Sequence, residues 1–432
     1  MIGACLFIVF VVLMLAGVPI GVALGVGGAL AIGLSNLDTA NWGLLAVPQN
    51  FYASLTKYPL LALPMFVLVG SIFDRSGIAQ RLVNFAVAII GRGPGMLPVV
   101  AILVAMFLGG VSGSGPANAA AVGGVMIAAM ARAGYPAPFS ASVIGSAAAT
   151  DILIPPSIAL IIYSVMVPGA SVPALFAAGM IPGILAGLAL IVPTLWLARK
   201  HGMGQLEASL PRPPFWASLR EAAWGLFAPV LILGGMRLGW FTPTEAGAVA
   251  VAYGLLVGML VHRTIKWADL GLIFREAAEI SGVILLVIGL ASIFAYAVNT
   301  LGIIDPITRA ITNSGLSSMG VLLCLVALLL VVGMFLDGVS IFLIFIPLVM
   351  PLMRIYGWDP VWFGILMTMM VAVGQFTPPM AVNLMVSCKM AGASMEETFP
   401  WVWWLVLGML VSLLAVLFMP SLALWLPRYL GY

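Results

Sequence analysis

A polar break interrupts an apolar run twice in this chain, at the same place in each half. Ser112-Gly-Ser-Gly-Pro-Ala-Asn118 is followed by Ile154-Pro-Pro-Ser157. Gly333-Met-Phe-Leu-Asp-Gly-Val-Ser340 is followed by Gly374-Gln-Phe-Thr-Pro-Pro-Met-Ala-Val-Asn383. The two sets stand 223 residues apart without a gap. Pro155-Pro156 falls on Pro378-Pro379, Gly134-Tyr135 on Gly357-Trp358, Gly169-Ala-Ser171 on Gly392-Ala-Ser394, and Ser114 on Asp337. A chain repeated at one fixed offset is expected to fold as two copies of one plan. Those copies cannot be soluble domains. The 432 residues are 63% hydrophobic and 7% charged, where a soluble domain carries about 25% charged residues. The solvent is therefore lipid, and runs such as 321–336 and 399–426 approach the roughly 20 residues that span a bilayer core. A β-barrel would show short alternating strands instead.

The same composition excludes several functions. A net charge of +3, spread among loops, gives no nucleic-acid surface. Cys5, Cys324 and Cys388 are scattered through apolar runs and form neither a CxxC nor a disulfide framework. The two histidines, His201 and His262, lie in or beside loops, so neither a metal cluster nor a Ser-His-Asp set is expected. No GxxxxGK[ST] is present, which argues against ATP-driven transport by this chain. The first apolar run continues to Leu34 with no small-residue cleavage site and is read as a transmembrane helix, not a signal peptide.

The expected fold class is an all-α polytopic membrane protein with two inverted repeats. Residues 1–198 form the first repeat, with a re-entrant helical hairpin at about 97–133 and a broken transmembrane helix at about 137–167. Residues 199–220 are a polar linker. Residues 221–432 hold a bridging helix and the second repeat, with a hairpin at about 320–354 and a broken helix at about 361–390. Residues 2–34 read as one helix kinked at Gly17-Val-Pro19. Residues 36–57, with Trp42 and Lys57, read as an interfacial segment, and those around Arg81 and Arg92, Lys266 and Arg309 as amphipathic surface helices. Thr242-Pro-Thr-Glu245 reads as a capped helix start. If the hairpins do not cross, nine crossings result. Twelve of the seventeen Lys and Arg then share a side with the N-terminus, which the positive-inside rule places in the cytoplasm, with the C-terminus periplasmic.

Broken helices at matching places in two halves point to the ion and substrate site of a secondary transporter. Non-helical backbone at membrane depth needs partners for its freed carbonyls, and sodium, a hard cation taking oxygen ligands, is one. The candidate ion ligands are Ser112, Ser114, Asn118, Thr150 and Pro155 in the first half. In the second they are Gly333, Asp337, Gly338, Gly374, Thr377, Met380 and Asn383. Ser114, Pro156, Ser157, Ser340 and Pro379 are the candidate substrate contacts, near helix N-termini whose partial positive charge suits a carboxylate. The paired prolines prevent the helix from re-forming. Asp337 reads either as a cation ligand or as a helix cap, and Gly109-Gly110 as hinges. No cofactor is expected beyond coupling ions.

At these residues the chain resembles the large membrane subunit of tripartite ATP-independent periplasmic (TRAP) transporters, the DctM-type permease. The resemblance covers nearly the whole chain. It rests on Ser112 to Asn118, Ile154-Pro-Pro-Ser-Ile158 with Ile161-Ile-Tyr163, Phe241-Thr-Pro-Thr-Glu-Ala246, Phe335-Leu-Asp-Gly338, Thr377 to Asn383, and the ending Phe418 to Pro427. It implies an elevator motion of a transport domain against a scaffold, within the ion-transporter superfamily. It also implies sodium-driven uptake of organic acids such as C4-dicarboxylates or sialic acid, a small four-helix DctQ-type membrane subunit, and a periplasmic DctP-type binding protein. Asp151 departs from the expected pattern, which has a small residue there as Gly374 supplies in the other half. The alternatives are a stand-alone anion/sodium symporter or exporter of the same superfamily, a membrane-embedded enzyme, and a channel.

Overall fold

Where lipid is the solvent, backbone polar groups must pair within the segment, and helices do this. The computed structural model describes residues 2–35, 43–90, 93–209, 212–313 and 315–432. Trp42 and Arg92, assigned above to surface segments, lie outside them. Among the described residues the chain is helical throughout, with no strand.

The first apolar run is two helices, not one kinked helix. α1 (Ile2–Leu15) and α2 (Ile20–Ser35) are separated by Gly17, which sits at φ +83°, and Pro19, which has no N–H to give. They lie side by side, with Gly27 of α2 against Leu6 and Phe10 of α1. The missing Cβ is what permits that approach. The expectation of one kinked helix over 2–34 is therefore corrected to two helices that turn back on each other.

α3 (Ala46–Leu55) and α4 (Ala62–Arg75) follow, then a short α5 (Ile78–Ile90). α6 (Met96–Ser112) and α7 (Gly115–Arg132) flank the first polar motif. α8 (Ala137–Ala148) and α9 (Ile158–Met166) flank the first Pro-Pro break, and α10 (Val172–Lys200) leads into the linker. The second half holds α11 (Phe215–Arg237), α12 (Pro243–Leu256), α13 (Trp267–Thr300), α14 (Ile304–Asn313), α15 (Ser318–Gly333) and α16 (Gly338–Tyr356). It ends with α17 (Pro360–Gly374), α18 (Val382–Ala391), α19 (Phe399–Phe418) and α20 (Ser421–Leu430). The starts of α2 and α12, of α7 and α16, and of α8 and α17 each stand 223 residues apart. Thr242 and Glu245 form the expected capping box at the start of α12. Among the described residues seven helices are long and apolar enough to cross a membrane by length and composition. The broken helices are not among them, because each arm is counted alone.

One asymmetry has a simple cause. Residues 267–279, expected as a separate surface helix, run straight into the following span as α13. In the first half Pro59 ends the equivalent helix between α3 and α4. Its counterpart at the 223-residue offset is Gly282, which a helix tolerates where it does not tolerate proline.

The four arms of the two broken helices are crossed. α8 packs on α18, with Gly145 against Leu384 and Ser387. α9 packs on α17, with Gly364 against the Tyr163 ring. The Tyr163 hydroxyl donates to the Pro360 carbonyl at 2.8 Å, so the buried phenol keeps a partner. Each first arm thus lies on the second arm of the other half.

The bases of the two motif-bearing helix pairs are tied alike. The Gly95 N–H, just before α6, donates to the Tyr135 hydroxyl at 2.6 Å. At the matching positions the Trp358 Nε1–H donates to the Ser318 hydroxyl at 2.9 Å. In the first half the polar linker joins this tie. Tyr135 donates to Glu207 Oε2 at 2.6 Å, and the Leu97 N–H donates to Glu207 Oε1 at 2.8 Å. A side chain from the linker therefore satisfies a free N–H in the first turn of α6. Burial pushes the Glu207 carboxyl above its ordinary range, against the pull of these donors. It pushes the Tyr135 phenol up as well, and the Glu207 hydrogen bond adds to that.

Candidate functional site

The first tip is built by the end of α6. Gly113 sits at φ +61°, a conformation costly for any residue with a Cβ, and turns the chain toward α7. The side chain of Ser112 lies outside the described residues. Ser114 is the extended N-cap of α7, but its hydroxyl caps nothing, so the N–H groups of the first turn stay open. One turn further on, Asn118 is fully buried. Its Nδ2–H donates to the Ala105 carbonyl at 2.8 Å, while its Oδ1 has no partner.

Between α8 and α9 the chain runs as turns through Thr150 to Pro156, with a cis Pro155-Pro156 bond. Thr150 donates back to the Ala147 carbonyl at 2.7 Å, and Ser157 to the Ile152 carbonyl at 2.6 Å. Both hydroxyls are buried and keep acceptor lone pairs. Ser157 is the N-cap position of α9, yet its side chain does not cap, and that N-terminus is open too. Gly109 and Gly110, expected as hinges, have a packing role in this structure. They stand inside α6 and lack side chains because the break packs on them: a Cβ on Gly110 would lie 2.8 Å from the Pro155 carbonyl oxygen, and one on Gly109 would overlap Asp151.

The second break is tighter. Gly333 and Gly374 lie backbone to backbone, with the Cβ position of Gly333 at 3.3 Å from the Gly374 Cα. Asp337 is the N-cap of α16: the Ser340 N–H donates to its Oδ2 at 3.2 Å and the Ser340 hydroxyl to its Oδ1. The capping role is thus realised, and it occupies Ser340. Thr377 donates to the Val373 carbonyl. The Met380 N–H donates to the Met334 carbonyl at 3.3 Å, and the side chains of Met380 and Pro379 are exposed. Asn383 is fully buried. Its Nδ2–H donates to Gln375 Oε1 at 3.2 Å, its N–H to the Gln375 carbonyl at 3.0 Å, and its Oδ1 has no partner.

These parts converge. Asn383 lies against the first tip, since a Cβ on Gly115 would stand 2.6 Å from its amide atoms. Ser114, Gly115, Asp337, Gly338 and Gln375 line one cavity of about 220 Å³, walled by Ile280 and Ile284 of α13 and by Ile152 and Ile158. Both tips and the open N-termini of α7 and α9 face it. Of the expected substrate contacts, Ser114 lines this cavity. Pro156 and Ser157 are buried behind it, Ser340 is taken by Asp337, and Pro379 is exposed outside its lining. Gln375 was missed by the sequence reading, although an amide within an apolar run next to a break was a visible signal.

Among the described residues there is no cluster of three or more metal-ligating His, Cys, Asp or Glu side chains. Residues 7–422 match the family described as "Tripartite ATP-independent periplasmic transporter, DctM component". The chain belongs to the DctM family of TRAP large permeases. It is 37% identical over 416 residues to the C4-dicarboxylate TRAP transporter large permease protein DctM of Pseudomonas aeruginosa, covering 95% of this permease and 94% of that one. It is 33% identical over 420 residues to the isethionate TRAP transporter permease protein DctMQ of Oleidesulfovibrio alaskensis, covering 97% of this chain and 65% of that longer one. Its fold matches the crystal structure of the Alcanivorax borkumensis YdaH transporter with a TM-score of 0.60 at 13% identity, over 88% and 90% of the two chains. The permease is a multi-pass transport protein and not an enzyme.

Proposed function

We propose that this permease carries organic carboxylates inward through the cavity between the two tips, and that sodium ions held at the two breaks drive it. The observation that carries the reading is the pair of buried, partnerless amide oxygens, Asn118 Oδ1 and Asn383 Oδ1. A buried acceptor without a donor costs about 1–3 kcal/mol, which a bound cation would relieve. The carbonyls and hydroxyl lone pairs around Thr150, Pro155, Gly333, Gly374 and Thr377 would complete the shells. The open N-termini of α7 and α9 would meet the substrate carboxylate.

The architecture we read behind this is a pair of inverted repeats with re-entrant hairpins at α6/α7 and α15/α16. If α1 matches α11 as α2 matches α12, each half makes five crossings. An odd number inverts the second half against the first without any bridging helix. The total becomes ten instead of nine. With the Arg199, Lys200, Arg212 and Arg220 linker in the cytoplasm, both ends of the chain then face the periplasm. The hairpins and crossed arms would move together as the elevator, against a scaffold that includes α13. A DctQ-type small subunit would brace that scaffold, and a DctP-type binding protein would deliver the substrate.

The test is a thermal melt of the permease with its small subunit in sodium, potassium and choline chloride at equal ionic strength. An ion that binds only the folded state raises the melting temperature by mass action. The expected outcome is a sodium-specific rise that Asn118→Ala and Asn383→Ala each reduce, followed by sodium-dependent uptake of a dicarboxylate in proteoliposomes. Equal melts in all three salts would overturn the sodium assignment.

A further inference from the structure

Asp151 has no place in that scheme, yet it is the chain's most costly side chain where it stands. It is fully buried, and neither carboxyl oxygen has a hydrogen-bond partner. The adjacent Ile152 N–H touches it only electrostatically, outside hydrogen-bond geometry. The salt bridges among the described residues are Arg75–Glu276 and Arg275–Glu279, so no cationic side chain neutralises it. A buried carboxyl without a counter-charge is held protonated unless a cation supplies that charge.

Its surroundings are arranged to admit it. Asp151 stands against Gly109 of α6. One turn earlier on the same helix, Ala105 accepts the Asn118 amide, which leaves the Asn118 Oδ1 free. Two sets of unpartnered oxygens therefore lie against successive turns of α6. In the other half the counterparts of Gly109 and Asp151 are Val332 and Gly374. The first break carries a carboxylate where the second has a glycine, and α6 has a glycine where α15 has a valine.

We infer that the Asp151 carboxylate and Asn118 Oδ1 together ligate a sodium ion in the first break, so that this ion is neutralised by the protein while the ion of the second break is held by uncharged donors alone. The inference rests on the sodium reading above and adds that the two sites are electrically unlike. The first site is the tighter, and the second is the one whose charge is left for the substrate carboxylate.

The experiment is a sodium titration of the melting temperature at constant ionic strength, with choline as the balancing ion, on the permease with its small subunit. Asp151→Asn preserves shape and removes charge. It is expected to raise the half-saturating sodium concentration at least about tenfold. A wild-type sodium response that Asp151→Asn leaves unmoved overturns this assignment alone. A wild type indifferent to sodium overturns it together with the sodium reading. If the variant does not fold, infrared difference spectra of wild type decide. Sodium should bring up or shift a carboxylate stretch, with any protonated-carboxyl band lost in step as the proton leaves; no carboxylate change overturns the proposal.

Discussion

At the scale of single residues, the breaks are held by what is missing. Gly374 has no side chain because the Gly333 backbone lies where one would be. Gly374→Ala should therefore destabilise the permease by about 1–3 kcal/mol or more, since the obstacle is backbone and cannot swing aside. The check is the melting temperature beside that of Gly234→Ala, where a Cβ would meet nothing within 4 Å and little change is expected. Some of this was legible in the sequence. The breaks, the paired prolines and both asparagines were visible as polar residues in apolar runs. The capping role of Asp337 was one of two open readings. The packing role of Gly109 was not legible, because a glycine needed for close approach and one that serves as a hinge look alike until the partner segment is known. Gln375 was passed over because its importance comes from Asn383, eight residues on, folding back to it.

Between residues and fold stand the elements and the ties at their ends. The Tyr135–Glu207 tie fastens the polar linker to the start of α6. Tyr135→Phe removes a donor from a buried carboxylate and should cost about 1–3 kcal/mol. The tie has a pH signature. The Glu207 carboxyl is raised above 4.5 in the folded chain, so the fold holds a proton that the unfolded chain releases sooner. Its contribution is fully present below about 4.5 and is lost as pH rises through the raised folded value. The melting advantage of wild type over Glu207→Gln should shrink as pH rises across that window, and an advantage that grows would contradict the assignment. Element boundaries were the weakest part of the sequence reading. Gly17 and Pro19 looked like a kink and proved to be a reversal, because nothing in a hydropathy run says whether the second helix returns along the first. Conversely α13 was divided in two on the strength of its charges, although no proline broke it.

For the whole molecule, the proposed ten crossings would put the start of the chain on the periplasmic side. A single cysteine placed at Gly17 should react with an impermeant maleimide from the cytoplasmic side alone, and one appended after Tyr432 from the periplasmic side alone. A Gly17→Cys that reacts from neither side would return the count to nine, and reaction from the periplasm would reverse the proposed orientation. The 223-residue offset was fully legible, and it foretold which helices would correspond. How the halves embrace was not. Crossed arms need tertiary contacts such as Gly145 on Leu384 and Gly364 on Tyr163, each a glycine against a larger residue that carries no mark of its partner.

That crossing has a consequence for how the protein comes into being. The arms that frame the first break are finished early in synthesis, but the helix that α8 lies on is α18, beginning at Val382. Until the ribosome has passed that point, the first tip lacks the Asn383 amide that rests on Gly115. A nascent chain halted between Ser157 and Val382 has all the residues of the first site but not the second-half helix that completes its packing.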